Sequence, residues 1–179
     1  MRTIIIMAAL AATILSCAPR STVPERFSSV TDTLSAGKHF ALADLGSETE
    51  ALLVTDCVYD DLEGHMATIM ARVYAACPDG SVADCGGVVS QGTSYPLAVK
   101  DGCLFTAGHR FIHKYSVVDG GKLAKVGGIL EVLDSLGEPL HYVIDGDMVC
   151  LPGDSHVEAA YDEWSGAEIL SFSPVRKGK

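Results

Sequence analysis

Two histidines, His109 and His113, stand four residues apart on one predicted strand. Side chains alternate between the faces of a strand, so both imidazoles would share a face with Phe111 and Tyr115. Two imidazoles so placed supply half of a tetrahedral zinc site, and His39, His65, His141 or a carboxylate would have to complete it. Histidines interleaved with aromatics also serve simply as packing residues, and the spacing by itself demands no metal. A second cluster runs through Asp56, Tyr59, Asp60, Asp61 and Glu63 to His65, the densest group of carboxylates in the chain. It can hold a cation or a basic partner, or be only a solvated loop. Together with Tyr95 on the turn Gly92–Pro96 it forms the expected binding surface, because loops positioned by a rigid sheet commonly carry recognition. A third candidate is Ser155, a hydroxyl next to His156, but Ser155 followed by Glu158 also fits a capping box that starts a helix.

The six cysteines divide by position. Cys17 closes the apolar N-terminal run, and five follow it. Cys77 and Cys85 flank the turn Pro78-Asp79-Gly80-Ser81, and a hairpin of that size could bring their β-carbons within bridging distance if the compartment is oxidising. The odd number leaves one thiol free, intermolecular or buried. The chain carries 13 basic and 23 acidic residues, a formal charge of −10, which becomes −11 once Arg2 is removed with a leader. Such a surface repels phosphate backbones, and no basic stripe precedes the tail 175–179, so nucleic acid is excluded as a partner.

The elements that must position these groups are mostly strands. Short β-compatible runs recur from Lys38, punctuated by Asp79-Gly80, Asp101-Gly102 and Asp119-Gly120-Gly121, which supply the left-handed conformations of tight hairpins. The chain also repeats itself. Phe40–Asp44 and Leu52–Thr55 are echoed by Tyr95–Val99 and Leu104–Thr106, and Ala67–Tyr74 with Gly80–Val88 by Arg110–Val118 with Gly121–Ile129. The expected fold is therefore mainly β: two four-stranded antiparallel blade-like meanders, 38–90 and 95–133, forming an incomplete propeller or packed sheets. A strand–helix–strand segment, 139–173, completes a single domain over 38–174. Its short helix begins at Ser155, buries Val157, Ala160, Tyr161 and Trp164 on one face, and ends at Ser165-Gly166 before a final strand, Ala167–Phe172. Residues 18–37, rich in Ser and Thr with Pro19 and Pro24, read as a tether.

Three resemblances add to this. Arg2 followed by the apolar run Ile4–Leu15 has the composition of a signal peptide over residues 1–16 and is too short to span a bilayer. Its end, Ile14-Leu15-Ser16-Cys17, resembles the lipobox of bacterial lipoproteins, which implies lipidation of Cys17, a membrane anchor and a place in the cell envelope outside the cytoplasm. Phe40 to Val54 resembles the calcium loop of integrin-type (FG-GAP) propeller repeats. That implies an ion held by Asp44, Glu48 and Glu50, although Gly46 and Thr49 depart from the family's pattern and calcium wants six to eight oxygens. Gly153-Asp154-Ser155-His156 resembles the nucleophile box of GDS-type esterases, but in that family the serine lies near the start of an α/β domain.

These features favour a lipid-anchored envelope protein that works by binding a protein or glycan partner, without a catalytic site or an obligatory cofactor. One rival is a metal-dependent or hydrolytic envelope enzyme built on His109 and His113. Another is a structural subunit of an envelope complex.

Overall fold

The computed structural model describes residues 22–176 apart from 47–48, 119–120, 146 and 151–154. Cys17, Glu48 and the Gly153-Asp154 pair lie outside the described residues.

The first meander is β1 (His39–Asp44), β2 (Glu50–Thr55), β5 (Met70–Ala76) and β6 (Val82–Val89), with a two-stranded ribbon, β3 (Tyr59–Asp60) and β4 (Met66–Ala67), inserted after β2. The second is β7 (Ala98–Lys100), β8 (Cys103–Gly108), β9 (Phe111–Val118) and β10 (Lys122–Leu133), extended by β11 (Pro139–Asp145) and β12 (Asp147–Cys150). Every pairing is antiparallel, as expected of strands joined by short turns. The fold is thus mainly β, built on two four-stranded meanders with a C-terminal helix, α2 (Ser155–Ser165). Among the described residues no helix is long and apolar enough to cross a membrane.

The internal repeat extends to the irregularities. Between β5 and β6 the pairing passes from Tyr74 with Asp84 to Val73 with Gly86, leaving Cys85 as the extra residue of a bulge. Between β9 and β10 it passes from Tyr115 with Lys125 to Lys114 with Gly127, leaving Val126. Each bulge is followed in sequence by a glycine pair, and a bulge twists and bends its strand. Strand register therefore matches Tyr74 to Tyr115, two residues away from the alignment read for that strand in the sequence. A shift of two preserves which face each side chain occupies.

The inner faces of the sheets meet in one core. Ala41, Leu53, Val73 and Val88 from the first sheet pack with Leu97, Leu104 and Val117 from the second. At one end the β1–β2 turn plugs into the other sheet. The Gly46 N–H donates to the Gly102 carbonyl (2.8 Å), and the Val117 N–H donates to the Leu45 carbonyl (3.3 Å). Gly46 has φ +100°, and a Cβ there would stand 2.8 Å from the Val117 oxygen, so glycine is required by conformation and by space.

Each outer face carries a helix. On the second sheet, Val157, Ala160, Tyr161 and Trp164 of α2 pack on Phe105, Ala107, Ile112 and Ile129, the helix face the 3.6-residue spacing predicts. On the first sheet, residues read as tether are part of the fold. A 3-10 turn, Glu25–Phe27, runs into α1 (Ser28–Thr31), and Phe27 is fully buried against Phe40, Leu52 and Val54. Val23, Val30 and Leu34 pack beside it. The spacing 23, 27, 30 and 34 is one helical stripe. Pro24 directly precedes the helical turn, where a missing N–H costs nothing. The order of layers is helix, sheet, sheet, helix.

The last segment is not one strand but two. Glu168–Ile169 (β13) pairs with β7, and Ser173–Pro174 (β14) pairs with β1. Between them Leu170 and Phe172 insert into the central core. The chain crosses from one sheet edge to the other, which a continuous strand could not do.

Candidate functional site

The acidic loop is an ordered ribbon. Asp61 organises its turn: its carboxylate accepts the backbone N–H groups of Glu63 (2.9 Å) and His65 (2.7 Å), and its second oxygen lies 2.8 Å from His65 Nδ1. These hydrogen bonds hold the Asp61 carboxyl below the usual carboxylate range against the opposing effect of desolvation. With Nδ1 turned to the carboxylate, the imidazole is fixed in orientation, and Nε2 is the nitrogen it can offer elsewhere.

Tyr59, at the base of this ribbon, donates its hydroxyl to the carbonyl of Thr93 (2.9 Å). That bond joins the Asp56–His65 loop to the Gly92–Pro96 turn, bringing residues 34 apart in sequence into one wall. Tyr95, on the same turn, meets Trp164 of α2 at a centroid distance of 5.4 Å and His109 at 5.6 Å, and its hydroxyl lies 3.2 Å from His109 Nδ1. Tyr161 fixes the turn after β8 by donating to the Gly108 carbonyl (2.9 Å). Ribbon, turn, the end of α2 and β13 enclose a cleft of about 330 Å³. Its polar walls include Glu63, His65, Ser94 and Glu168, and its apolar walls Pro96 and Trp164. The volume lies at the lower end of small-ligand sites.

The structure places the other sequence candidates apart from this cleft. Asp56 is paired with Lys38 (2.8 Å), and Asp60 is exposed on β3. His109 sits in the turn between β8 and β9 rather than on the strand, because the chain reverses at Gly108-His109-Arg110, so the shared strand face does not exist. His113 stacks on Phe111 and accepts from Lys125 Nζ at Nε2 (3.3 Å). Burial, with help from the Lys125 charge, pushes its pKa down to about 4, so at neutral pH it is an uncharged packing residue beside an ammonium group. His141 of β11 faces Glu131 of β10, and His39 lies on β1. Among the described residues no group of three or more His, Cys, Asp or Glu side chains is placed to hold a metal ion.

In the loop that resembles a calcium site, Glu50 forms an ion pair with Arg26, Asp44 is exposed, and the backbone of Gly46 is committed to the second sheet. Cys77 and Cys85 are both free thiols. Cys77 pairs by backbone with Ser81, whereas Cys85 is the bulge residue further along β6, so the turn does not set them opposite each other. The Cys85 Sγ instead donates to the Gly121 carbonyl (2.8 Å), and burial pushes its thiol pKa up. A thiol shifted in this direction presents less of the reactive thiolate.

A larger groove of about 430 Å³ crosses the outer face of the first sheet, over Val54, Met70, Gly87 and Val89. Its charged groups are already neutralised, Lys38 by Asp56 and Arg72 by Asp84 (2.6 Å). The cleft is the better candidate because it gathers polar groups from four separate segments. No family model, no curated protein and no solved structure matches this chain.

Proposed function

We propose that the protein is a lipid-anchored component of a bacterial cell envelope and that its domain acts by binding rather than by catalysis. The leader 1–16 would be removed and Cys17 would carry the anchor. The observation that supports binding most directly is the Tyr59–Thr93 hydrogen bond, which couples two loops into one wall of a preformed cleft. Rigid coupling lowers the ordering cost of binding.

The packing of the N-terminal helix adds a geometric constraint. Val23 already lies against the first sheet, so only residues 18–22 separate Cys17 from the folded domain. Five residues reach about 18 Å when fully extended. An anchored domain would therefore work close to the bilayer, suited to partners that are themselves in or next to the membrane.

The test is a cross-linking pull-down of the tagged, lipidated protein from its host's membranes beside a Cys17→Ser control and a Tyr59→Phe variant. The expected result is one specific partner, protein or glycan, retained by the wild type, reduced in Tyr59→Phe, and absent when Cys17→Ser detaches the domain from the membrane. Recovery of the domain alone under every condition would overturn the reading.

A further inference from the structure

The cleft's charge is one-sided. Glu63 and Glu168 both line it, Asp61 stands directly behind His65, and no lysine or arginine is among the lining residues. Among the described residues neither Glu63 nor Glu168 takes part in an ion pair, whereas the carboxylates bordering the larger groove are matched by cations. Glu63 and Glu168 are both exposed, so the two carboxylates on this small cleft repel each other through solvent and the repulsion is moderated by salt. A cation arriving between them relieves it. Another part of the wall is apolar, formed by Pro96, Ala98, Ile169 and Trp164, whose indole suits an ammonium group or an alkyl chain. A bare metal ion would not use that wall, and an anion would meet two carboxylates with no basic residue among the lining residues.

We infer that the cleft binds a primary ammonium group carried on a short alkyl chain, the charge facing Glu63 and Glu168 and the chain lying against Trp164 and Ile169. The inference rests on the binding reading and names its ligand chemistry. A free diamine and a lysine side chain of a peptide present the same group. The net charge of −10 would draw either toward the protein.

Trp164 is the sole tryptophan of the chain, so its fluorescence reports on this cleft alone. The experiment titrates the intact protein with 1,5-diaminopentane, with Nα-acetyl-lysine amide and with neutral 1-pentanol, following fluorescence and heat. Saturable binding of one or both amines and none of the alcohol is expected, and the tighter of the two amines identifies the source. Glu63→Gln and Glu168→Gln should each weaken binding about threefold, the change expected from losing one exposed charge contact. Asp60→Asn, an exposed carboxylate outside the cleft, should leave affinity unchanged. Melting curves equal to wild type show that the variants are folded. Absence of amine binding at millimolar concentration, equal binding of the alcohol, or amine binding indifferent to both glutamate variants would each overturn the inference. A partner retained in the membrane pull-down despite such a result would leave the binding reading standing without its proposed ligand.

Discussion

The two sheets share one four-stranded pattern and one bulge, but they finish their outer faces in different ways. The second is covered by an eleven-residue helix, and the space over its glycine pair is filled: a Cβ on Gly127 would meet Lys114 Cε at 2.7 Å. Lys114 in turn reaches Glu163 of α2 (3.0 Å). The first sheet is covered over only part of its width, by a helical turn centred on Phe27, and beyond it the face stays open as the larger groove. The equivalent glycines Gly87 and Gly128 register this difference. A Cβ on Gly87 would make an ordinary contact, 3.6 Å from the Ala71 oxygen. On Gly128, at φ +134°, it would run into the backbone of Ile112 and His113. A repeated backbone irregularity is thus a joint closed by its neighbouring strand in one sheet and an unfilled one in the other.

That contrast can be broken at its strongest point by Phe27→Ala. A helical segment of a few residues has no stability of its own, so the cover of the first sheet depends on this side chain. The expected loss is about 3–5 kcal/mol, typical of a large aromatic removed from a full core, and urea denaturation would measure it. A wild-type midpoint would show that α1 is not part of the folded unit. Gly128→Ala comes next, at about 3 kcal/mol from strained φ and backbone collision together.

A smaller effect is pH-dependent. The folded pKa of His113 lies near 4, below the 6.5 of the free side chain, so between these values the unfolded chain binds the extra proton. Stability is therefore undiminished above about pH 6.5 and falls as pH drops through this window, by at most about 1.4 kcal/mol per pH unit. His113→Phe, which keeps a ring against Phe111, should flatten that part of the curve, and an unchanged slope would assign it to other groups. Gly87→Ala is expected to change stability by no more than about 0.5 kcal/mol. A loss matching that of Gly128→Ala would mean that the two joints are equivalent after all.

The local rules of the chain explain what could be read from it. α2 begins at Ser155 and ends at Ser165, and its four predicted apolar residues all pack on the sheet, because a helical stripe and a glycine stop agree. The four-strand meanders follow from hairpin turns whose glycines have one backbone solution. The N-terminal helix was legible too, in Val23, Phe27, Val30 and Leu34, but the prolines, serines and threonines around it dominate a compositional reading. The cleft was half legible. Its two loops are marked by carboxylates and aromatics, while the spacing shows Trp164 only as a helix-face residue and Glu168 carries no signal. Contacts such as Tyr59 with Thr93 join segments far apart in sequence and leave no trace in spacing.

The crossing of residues 168–174 between sheets has a consequence for how the molecule assembles. β1 is among the first strands made, yet its outer edge pairs with Ser173 and Pro174, the last residues to pair in either sheet. Contacts of such long sequence separation form slowly, since the loop they close must be ordered first. Until they form, the edges of both β1 and β7 are exposed and able to recruit another chain. A chain released before residue 168 would hold nearly every strand of the fold and still present two adhesive edges. The few residues that complete both sheets therefore also cap part of one edge of each against pairing with another chain.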